Sequence, residues 1–346
     1  MIYILDNGNN FPKLCKTILK WIDKEFKEVV DLEFEYETGD ILVMNGEKFT
    51  KDYHDGNFIK KVLKDIHIPV VVLIDDSASN WGGTRVELNH NNPVYILSPD
   101  VVKSIPKFGV KNNTDTFNYL LTHMVEKNPT SNTLELFESG QKFRRTKYFI
   151  SLNREKKKHR DYLYSFLKKT NLLNKTHYSY TKDDNPIFLD GDEKWGRNSI
   201  MDPTLINYPL HFDSYINIVT LPNGDAQATT DFLDEKIFKP ILAFQPFIVL
   251  GSPGFLKVLK SFGFQTFFDI FDESYDNIEN DKMRYSKVCE NIKRISGKYT
   301  LTELHNWYYS KEIQQRLKHN WTVAKDLSWE QIDRLKELLT ELESSN

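Results

Sequence analysis

Cysteine, net charge and long hydrophobic runs are all scarce in this sequence of 346 residues. The two cysteines, Cys15 and Cys289, are too few and too far apart for a disulfide framework or a zinc site, which indicates a reducing compartment. The 46 Lys and Arg residues nearly balance 49 Asp and Glu residues, so the formal net charge is −3. This balance argues against a protein that coats nucleic acid or an anionic membrane, because such binding needs a basic footprint.

No segment has the character of a membrane helix or a signal peptide. The longest apolar runs, residues 68–74 and 246–250, fall far short of the roughly 20 residues that cross a bilayer. The first six residues, MIYILD, lack the basic start and long apolar run of a signal peptide. We therefore expect a cytoplasmic protein with no membrane span.

The first third of the chain alternates short apolar runs with amphipathic stretches. Apolar runs at 2–5, 41–44, 69–74 and 93–97 predict strands, and the spacing of apolar residues at 14–26 and 58–66 predicts helices. The run at 69–74 is apolar throughout, as in a strand that is buried on both faces. This order of elements predicts an α/β fold with a doubly wound parallel sheet.

A second α/β series begins near residue 147. Strands are predicted at 147–152, 178–180, 216–220, 246–250 and 264–267, with helices at 162–167, 232–244, 255–262 and 328–343. Ser328 and Gln331 resemble a capping box at the start of the last helix. We therefore predict one domain over residues 1–130, a linker over 131–146, and a second domain over 147–346, with a cleft between the domains. The alternative is a single large α/β domain without a cleft.

A first cluster of polar residues follows the predicted strand at 147–152. It contains Asn153, Arg154, His159 and Arg160. A helix begins there, so free backbone N–H groups and the positive end of the helix point toward whatever lies above the strand. An arginine side chain can match two phosphate oxygens at once. The cluster predicts an anion site, although a solvated basic turn is the simpler interpretation of residues 156–158.

A second cluster, Glu235, Lys236 and Lys239, opens the helix predicted at 232–244. A carboxylate suits the first turn of a helix but a lysine does not, so Lys236 hints at function. Glutamate can accept hydrogen bonds from both ribose hydroxyls and lysine can bind a phosphate, although an N-terminal charge beside an incidental lysine is the simpler interpretation.

A third segment places Gly251 and Ser252 after a strand, where glycine lets a ligand approach the backbone. Neither G-x-G-x-x-G nor G-x-x-x-x-G-K-[ST] occurs there.

Together, these motifs resemble a family of glycosyltransferases from phage, viruses and bacteria, and more distantly the α-1,3-fucosyltransferases. The resemblance covers roughly residues 147–284. It is carried by SLNR and HR within 151–160, INIVT at 216–220, DEKIFKP at 234–240, PFIVLGSPG at 246–254, GFQTF at 263–267 and DESYD at 272–276. A weaker match occurs at His319 and Asn320. The order and spacing of the motifs carry this resemblance rather than any single motif.

The resemblance implies a GT-B fold, in which two Rossmann-like domains face each other across a cleft. Residues 1–130 would form the acceptor side, and residues 147–346 would bind the nucleotide sugar and carry the terminal helices. It also implies that Arg154 and Lys236 neutralise the donor diphosphate and that Glu235 binds the ribose. This chain has Asp234 where relatives commonly have threonine, and Leu221 where many have an acid.

The base that activates the acceptor hydroxyl would come from the first domain. Asp75 and Asp76 directly follow the predicted strand at 69–74, and Glu87 and His90 lie in the polar loop beyond it. These four residues remain alternatives. No metal or other cofactor is expected, because GT-B enzymes generally act without one. The Asp-Gly-Asp sequence at 190–192 is interpreted as a coincidence in a polar loop.

The resemblance predicts transfer of a sugar from a nucleoside diphosphate-sugar to a hydroxyl group of a glycan or another acceptor, with inversion. For a viral protein, the location would be the host cytoplasm. A second hypothesis is glycosylation of modified DNA bases, for which Arg144, Arg145, Lys147 and residues 156–158 would start a basic track. A third is a non-catalytic nucleotide-sugar-binding or structural protein on the same fold.

Overall fold

The structure is a computed structural model. It describes residues 1–5, 18–20, 22–29, 34–45, 66–73, 94–98, 100–102, 114–116, 119–128, 130–140, 142–153, 156–180, 205–222, 224, 226 and 230–344. The chain divides into two compact units. The first comprises residues 1–122 and 327–346, and the second comprises residues 123–326.

The first unit is built on a six-stranded sheet in which every neighbouring pair of strands is parallel. The strand order is β2-β1-β3-β4-β5-β7. The strands are β1 (Ile2–Leu5), β2 (Phe26–Val29), β3 (Ile41–Asn45), β4 (Val70–Leu73), β5 (Val94–Ser98) and β7 (Thr114–Thr116), and β6 (Asp100–Val102) lies outside this sheet. Strand β1 is buried along its whole length, as expected for a strand inside a parallel sheet.

The second unit contains a four-stranded parallel sheet with the order β12-β10-β8-β9. Its strands are β8 (Lys147–Asn153), β9 (Thr176–Tyr180), β10 (Ser214–Thr220) and β12 (Phe247–Leu250), and β11 (Thr230–Phe232) lies outside this sheet. The helices in the described part of the chain include α1 (Tyr119–Lys127), α2 (Thr130–Glu138), α3 (Lys158–Lys169), α4 (Tyr208–Phe212), α5 (Glu235–Leu242), α6 (Phe255–Ser261), α7 (Asp281–Lys298), α8 (Leu301–Tyr308) and α9 (Lys311–Ser344), of which α1 and α9 each contribute residues to both units. Two parallel sheets with terminal helices confirm the predicted α/β class.

Strand β2 corrects one prediction in the first unit. Phe26 was expected to end the helix predicted at 14–26, whereas residues Phe26–Val29 form an edge strand that pairs with β1. Lys27 and Glu28 are exposed at this edge. A polar edge strand lacks the continuous apolar run that marked the other strands, so its sequence did not indicate a parallel sheet.

The predicted strand at 264–267 is also wrong. This segment has no regular structure and is held by Asn320 of α9. The amide oxygen of Asn320 accepts a hydrogen bond from the backbone N–H of Gln265 at 2.7 Å, and its amide nitrogen donates to the Gln265 carbonyl at 2.8 Å. One side chain thus satisfies both backbone groups that a neighbouring strand would otherwise pair.

Helix α9 is continuous from Lys311 to Ser344, so Ser328 lies inside it and does not begin a helix. No glycine or proline interrupts this stretch, which explains why the helix does not stop. A capping box occurs instead at the start of α8. There the Thr300 hydroxyl accepts from the Glu303 N–H at 3.2 Å, and the Glu303 carboxylate accepts from the Thr300 N–H at 2.7 Å.

The division into units places the predicted linker, residues 131–146, within the second unit. Half of it, residues 131–138, belongs to helix α2, whose Phe137 stacks on Phe244 with ring centroids 4.1 Å apart. The end of the chain belongs to the first unit, where the Thr122 hydroxyl donates to the Ser328 carbonyl at 2.8 Å. The contact of Phe137 with Phe244 and the bond between Thr122 and Ser328 both join residues that are far apart in the chain, so local composition did not reveal them.

None of the helices in the described ranges is both long enough and apolar enough to cross a bilayer.

Candidate functional site

The residues predicted to bind a ligand in the second unit gather at one edge of its sheet. Strands β8, β10 and β12 are neighbours and run parallel, so their carboxyl ends lie side by side. Each is followed by a helix, α3, α5 and α6 respectively, whose amino end returns to that edge. Ligands of parallel α/β sheets usually bind at such an edge. We call it the carboxyl edge.

Asn153, at the end of β8, is part of a hydrogen-bond network inside the sheet. Its amide nitrogen donates to the Ser151 hydroxyl at 3.0 Å, and the Thr220 hydroxyl donates to its amide oxygen. The Ser151 hydroxyl donates in turn to the Ile218 carbonyl at 2.9 Å. Asn153 is buried. Its position therefore supports cross-strand pairing of β8 and β10 and does not support the predicted contact with a diphosphate.

His159 and Arg160 are also buried, and they bond to backbone at the end of β10. The His159 Nε2–H donates to the Leu221 carbonyl at 2.9 Å, and Arg160 Nη2 donates to the Thr220 carbonyl at 3.3 Å. Burial, reinforced by the charge of Arg160, lowers the pKa of His159 to about 3, so the imidazole is neutral at pH 7. Both side chains fasten α3 to β10. The predicted diphosphate role of His159 and Arg160 is not supported by this placement.

The amino ends of the three helices differ in what occupies them. Asp276 accepts hydrogen bonds from the backbone N–H groups of Leu256 at 3.0 Å and Lys257 at 3.3 Å, so its carboxylate fills the amino end of α6. Asp234 caps α5. No side chain caps α3. Within the described part of the chain, α3 is therefore the one of these three helices whose first N–H groups lack a side-chain cap.

Gly251 follows β12 and packs closely against Leu221. A Cβ atom at Gly251 would lie 2.5 Å from Leu221 Cδ1, so a larger residue would require the leucine to move. Leu221 is buried and has an apolar packing role here. Ser252 is buried beside Gly251, whereas Lys239 is half-buried on α5. The structure thus places these predicted donor-loop residues at or near the carboxyl edge.

Arg284 connects the turns at this edge, and the sequence interpretation missed it. Its Nε donates to the Gly251 carbonyl at 2.8 Å, and its Nη2 donates to the Gly224 carbonyl at 2.6 Å. Further bonds reach the Ile278 carbonyl at 2.7 Å and the Asp281 carboxylate at 2.6 Å. The side chain is 1 % exposed. The available signal was its place on the apolar face of α7, in register with buried Val288 and Ile292, because an arginine there needs buried partners.

Gly224 is the second turn that Arg284 holds. Its carbonyl also accepts from the Tyr285 hydroxyl at 2.9 Å. A Cβ atom at Gly224 would lie 2.3 Å from His159 Nδ1, closer than real Cβ contacts occur. The backbone therefore passes directly over the imidazole, and this position requires glycine.

Asp234, Glu235 and Lys236 form a compact ionic cluster at the amino end of α5. Lys236 Nζ donates to Asp234 Oδ2 at 2.8 Å and to Glu235 Oε1 at 2.5 Å. The Lys236 and Glu235 side chains are 24 % and 17 % exposed, so both remain accessible. Within the described part of the chain, two of the three N–H donors of Lys236 Nζ are directed to these carboxylates. The third can donate to a bound ligand.

Burial and mutual attraction act in opposite directions on these three groups. Burial raises the pKa of Asp234 to about 6 and outweighs the attraction of Lys236. For Glu235 the attraction of Lys236 wins over burial and the pKa is lowered. Burial lowers the pKa of Lys236, but the two carboxylates outweigh it and raise that pKa. Near neutral pH the lysine is therefore charged, accessible and aimed by two acids.

Several predicted site residues lie outside the described residues. These are Arg154 in the first cluster and the base candidates Asp75, Asp76, Glu87 and His90. Their roles stay predictions. Lys156 and Lys158, at the start of α3, are exposed to solvent.

The basic track that a DNA substrate would need is interrupted in this structure. Arg145 is buried at the amino end of β8, where Nη1 donates to the carbonyls of His211 at 2.9 Å and Ser214 at 2.7 Å. Lys147 donates to the Asn174 carbonyl at 2.7 Å. Residues 156–158 follow the opposite end of β8, about 20 Å away for a seven-residue strand. The structure does not support a DNA-binding role for these residues.

His211 belongs to the buried network at this amino end, and it predicts acid sensitivity. Its Nδ1–H donates to the Gln245 amide oxygen at 2.8 Å, and burial lowers its pKa to about 3. The unfolded chain, with a histidine pKa of about 6.5, binds more protons below pH 6. We expect each buried histidine, His159 and His211, to cost up to about 1.4 kcal/mol of unfolding free energy per pH unit as pH falls from about 6 to 4.

Urea unfolding at pH 7, 6, 5 and 4 measures this dependence. His211→Asn keeps a donor toward Gln245 but cannot titrate. The variant should be less stable at pH 7. As pH falls, its free energy of unfolding should decrease less steeply, because its unfolding takes up about one proton fewer. Equal slopes for the variant and the parent protein would contradict the assignment.

Among the described residues, no group of three or more His, Cys, Asp or Glu side chains could hold a metal ion.

Comparisons with known proteins give one distant structural neighbour. No protein-family model matches the sequence, and no curated protein matches it. A solved structure titled "Crystal Structure of alpha1,3-Fucosyltransferase" is similar to this chain with 10 % sequence identity and a TM-score of 0.42, over 88 % of this chain and 79 % of that chain. A TM-score of this size does not establish a common fold. The chain is thus an α/β protein with a distant likeness to an α1,3-fucosyltransferase.

Proposed function

We propose that the protein is a glycosyltransferase of GT-B type that uses a nucleoside diphosphate-sugar as donor and a hydroxyl group of a glycan or another molecule as acceptor. The observation that carries this proposal is the pairing of accessible Lys236 and Glu235 at the amino end of α5. Helix α5 follows β10, and β10 is the neighbour of β8, the strand that leads into the uncapped helix α3. Cationic and N–H groups at one edge of a parallel sheet suit a diphosphate.

In this proposal each residue of the cluster has a separate task. Lys236 donates to the diphosphate and stabilises the negative charge that develops as the bond between the sugar and the phosphate breaks. Glu235 accepts hydrogen bonds from the ribose hydroxyls. Arg154, which precedes α3, is proposed as a second cation for the diphosphate, on the strength of the motif alone.

The reaction itself transfers the sugar from phosphate oxygen to acceptor oxygen. The acceptor oxygen bonds to the anomeric carbon, the bond from that carbon to the diphosphate breaks, and a base takes the acceptor proton. Asp75, Asp76, Glu87 and His90 are the proposed candidates for this base. We further propose inversion at the anomeric carbon and no metal requirement, both of which derive from the family resemblance.

Turnover of a donor panel tests the proposed function. The full chain would be incubated with nucleotide sugars that differ in base and sugar, with and without glycan acceptors, and free nucleoside diphosphate would be measured. We expect release from at least one donor in the absence of added metal and in the presence of a chelator. Absence of release from every donor, together with absence of nucleoside diphosphate binding, would contradict the proposal. NMR of the product would decide between inversion and retention.

A further inference from the structure

Asp234 differs from its two partners in the ionic cluster because its carboxylate is fully buried. Its side chain is 0 % exposed. Both of its oxygens bond to the same residue, since Oδ1 accepts from the Lys236 backbone N–H at 3.0 Å and Oδ2 accepts from Lys236 Nζ at 2.8 Å. Asp234 therefore fixes Lys236 at its backbone and at its tip, while also capping α5.

We propose that Asp234 is a positioning residue that controls anion binding at Lys236, and that an anion binding there is accompanied by uptake of one proton by Asp234. This inference deepens the proposed function, because it assigns a proton-linked regulation to the same site. The proton comes from solvent and is held on the Asp234 carboxyl group, with no other bond made or broken.

The physical reason is the charge of the cluster. With Asp234 ionised, Lys236 is surrounded by two carboxylates, so an approaching anion meets one more negative than positive charge. Protonation of Asp234 removes one of the two carboxylate charges, and the attraction of Lys236 for the anion is then less opposed. The effect is large because the repelling carboxylate is buried, where charges are poorly screened.

The groups around Asp234 leave its protonation within the ordinary pH range. The charges that act on it in the described structure are those of Lys236 and Glu235, and Lys239 acts on Glu235. Strand β10, which packs against α5, carries Tyr215 as its one ionisable side chain. Burial places the pKa of Asp234 at about 6. The cluster therefore changes charge between pH 5 and 8.

Calorimetric binding of inorganic pyrophosphate at pH 5, 6, 7 and 8 tests the inference. Asparagine at position 234 keeps the helix cap and stays neutral. Asp234→Asn and the parent protein should bind pyrophosphate about equally at pH 5. At pH 8 the variant should bind at least tenfold more tightly, because only the parent protein must take up a proton. The titration of pyrophosphate itself cancels in the ratio of the two dissociation constants.

Two further variants keep the result unambiguous. The negative charge of Glu235 raises the pKa of Asp234, so Glu235→Gln should move the pH dependence of pyrophosphate binding to lower pH without abolishing it. Asp234→Ser, which also keeps a side-chain cap, should reproduce Asp234→Asn. The inference would be overturned if the ratio of the pyrophosphate dissociation constants of Asp234→Asn and the parent protein stayed constant from pH 5 to pH 8.

The outcome for this inference is separable from the outcome for the proposed function. If the ratio of the two pyrophosphate dissociation constants changes with pH while no nucleoside diphosphate binds, this result supports the role of Asp234 and contradicts the glycosyltransferase proposal. Binding of nucleoside diphosphates with a pH-independent ratio supports the proposed function and overturns the role of Asp234. Binding of neither pyrophosphate nor nucleoside diphosphates overturns both.

Discussion

Replacing Arg284 with alanine should reduce the free energy of unfolding by about 3–5 kcal/mol, the cost typical of breaking a buried charged network. The guanidinium group is buried and donates to the carbonyls of Gly224, Gly251 and Ile278. Its removal leaves these acceptors without that donor, and each buried group that loses its hydrogen bond costs about 1–3 kcal/mol. Since whole domains are stable by only about 5–15 kcal/mol, this substitution should bring the second unit close to unfolding at 37 °C.

Denaturant and thermal unfolding of the full chain measure this effect. Lys282→Ala, an exposed position two residues earlier on the same helix, is the matched control and should change stability by less than about 0.5 kcal/mol. Arg284→Lys keeps the charge but cannot reach several carbonyls at once, so it should fall between the alanine variant and the parent protein. Equal stability of Arg284→Ala and Lys282→Ala would contradict the role assigned to Arg284.

Replacing Lys236 with methionine should weaken nucleoside diphosphate binding by about 10- to 100-fold. A hydrogen bond to a charged group contributes roughly 1.5–3 kcal/mol, and each 1.4 kcal/mol corresponds to a factor of ten in the dissociation constant. Methionine retains most of the side-chain volume but lacks the ammonium group. Isothermal calorimetry with GDP, UDP, ADP and CDP measures the loss.

Two variants guard this result against trivial causes. Lys257→Met removes an exposed lysine from α6 near the same edge and should leave the affinity unchanged, which excludes a general effect of charge. Lys236→Met alone leaves the buried Asp234 carboxylate without its cation. The double variant Asp234→Asn with Lys236→Met removes this unpaired charge and tests whether the loss of nucleoside diphosphate affinity persists. Full affinity in the double variant would contradict a direct contact between Lys236 and the ligand.

The parallel sheets were predictable because their strands have simple sequence signatures. Strands β1, β3, β4, β8 and β10 are short apolar runs between polar or helical segments, and all were predicted near their observed bounds. The predictions that were wrong involve residues whose conformation depends on distant partners. The segment at Gln265 is satisfied by Asn320, which lies 55 residues later, and no local pattern reveals such a partner.

The candidate site was partly predictable for a similar reason. The ends of β8 and β10 and the start of α5 follow from the order of strands and helices, and this order led to Glu235 and Lys236. Burial, in contrast, depends on tertiary packing. His159 and Arg160 are buried against the backbone at the end of β10, and Asp234 and Arg284 are buried in networks that their residue types did not indicate.

A crystal structure of the protein with its tightest-binding nucleoside diphosphate would show directly whether Lys236 and Glu235 bind the donor. We expect diphosphate oxygens within about 2.7–2.9 Å of Lys236 Nζ and the ribose hydroxyls beside the Glu235 carboxylate, at the carboxyl edge. A nucleotide bound at the opposite end of the sheet, near Arg145 and His211, or bound without contact to Lys236 and Glu235, would contradict this expectation.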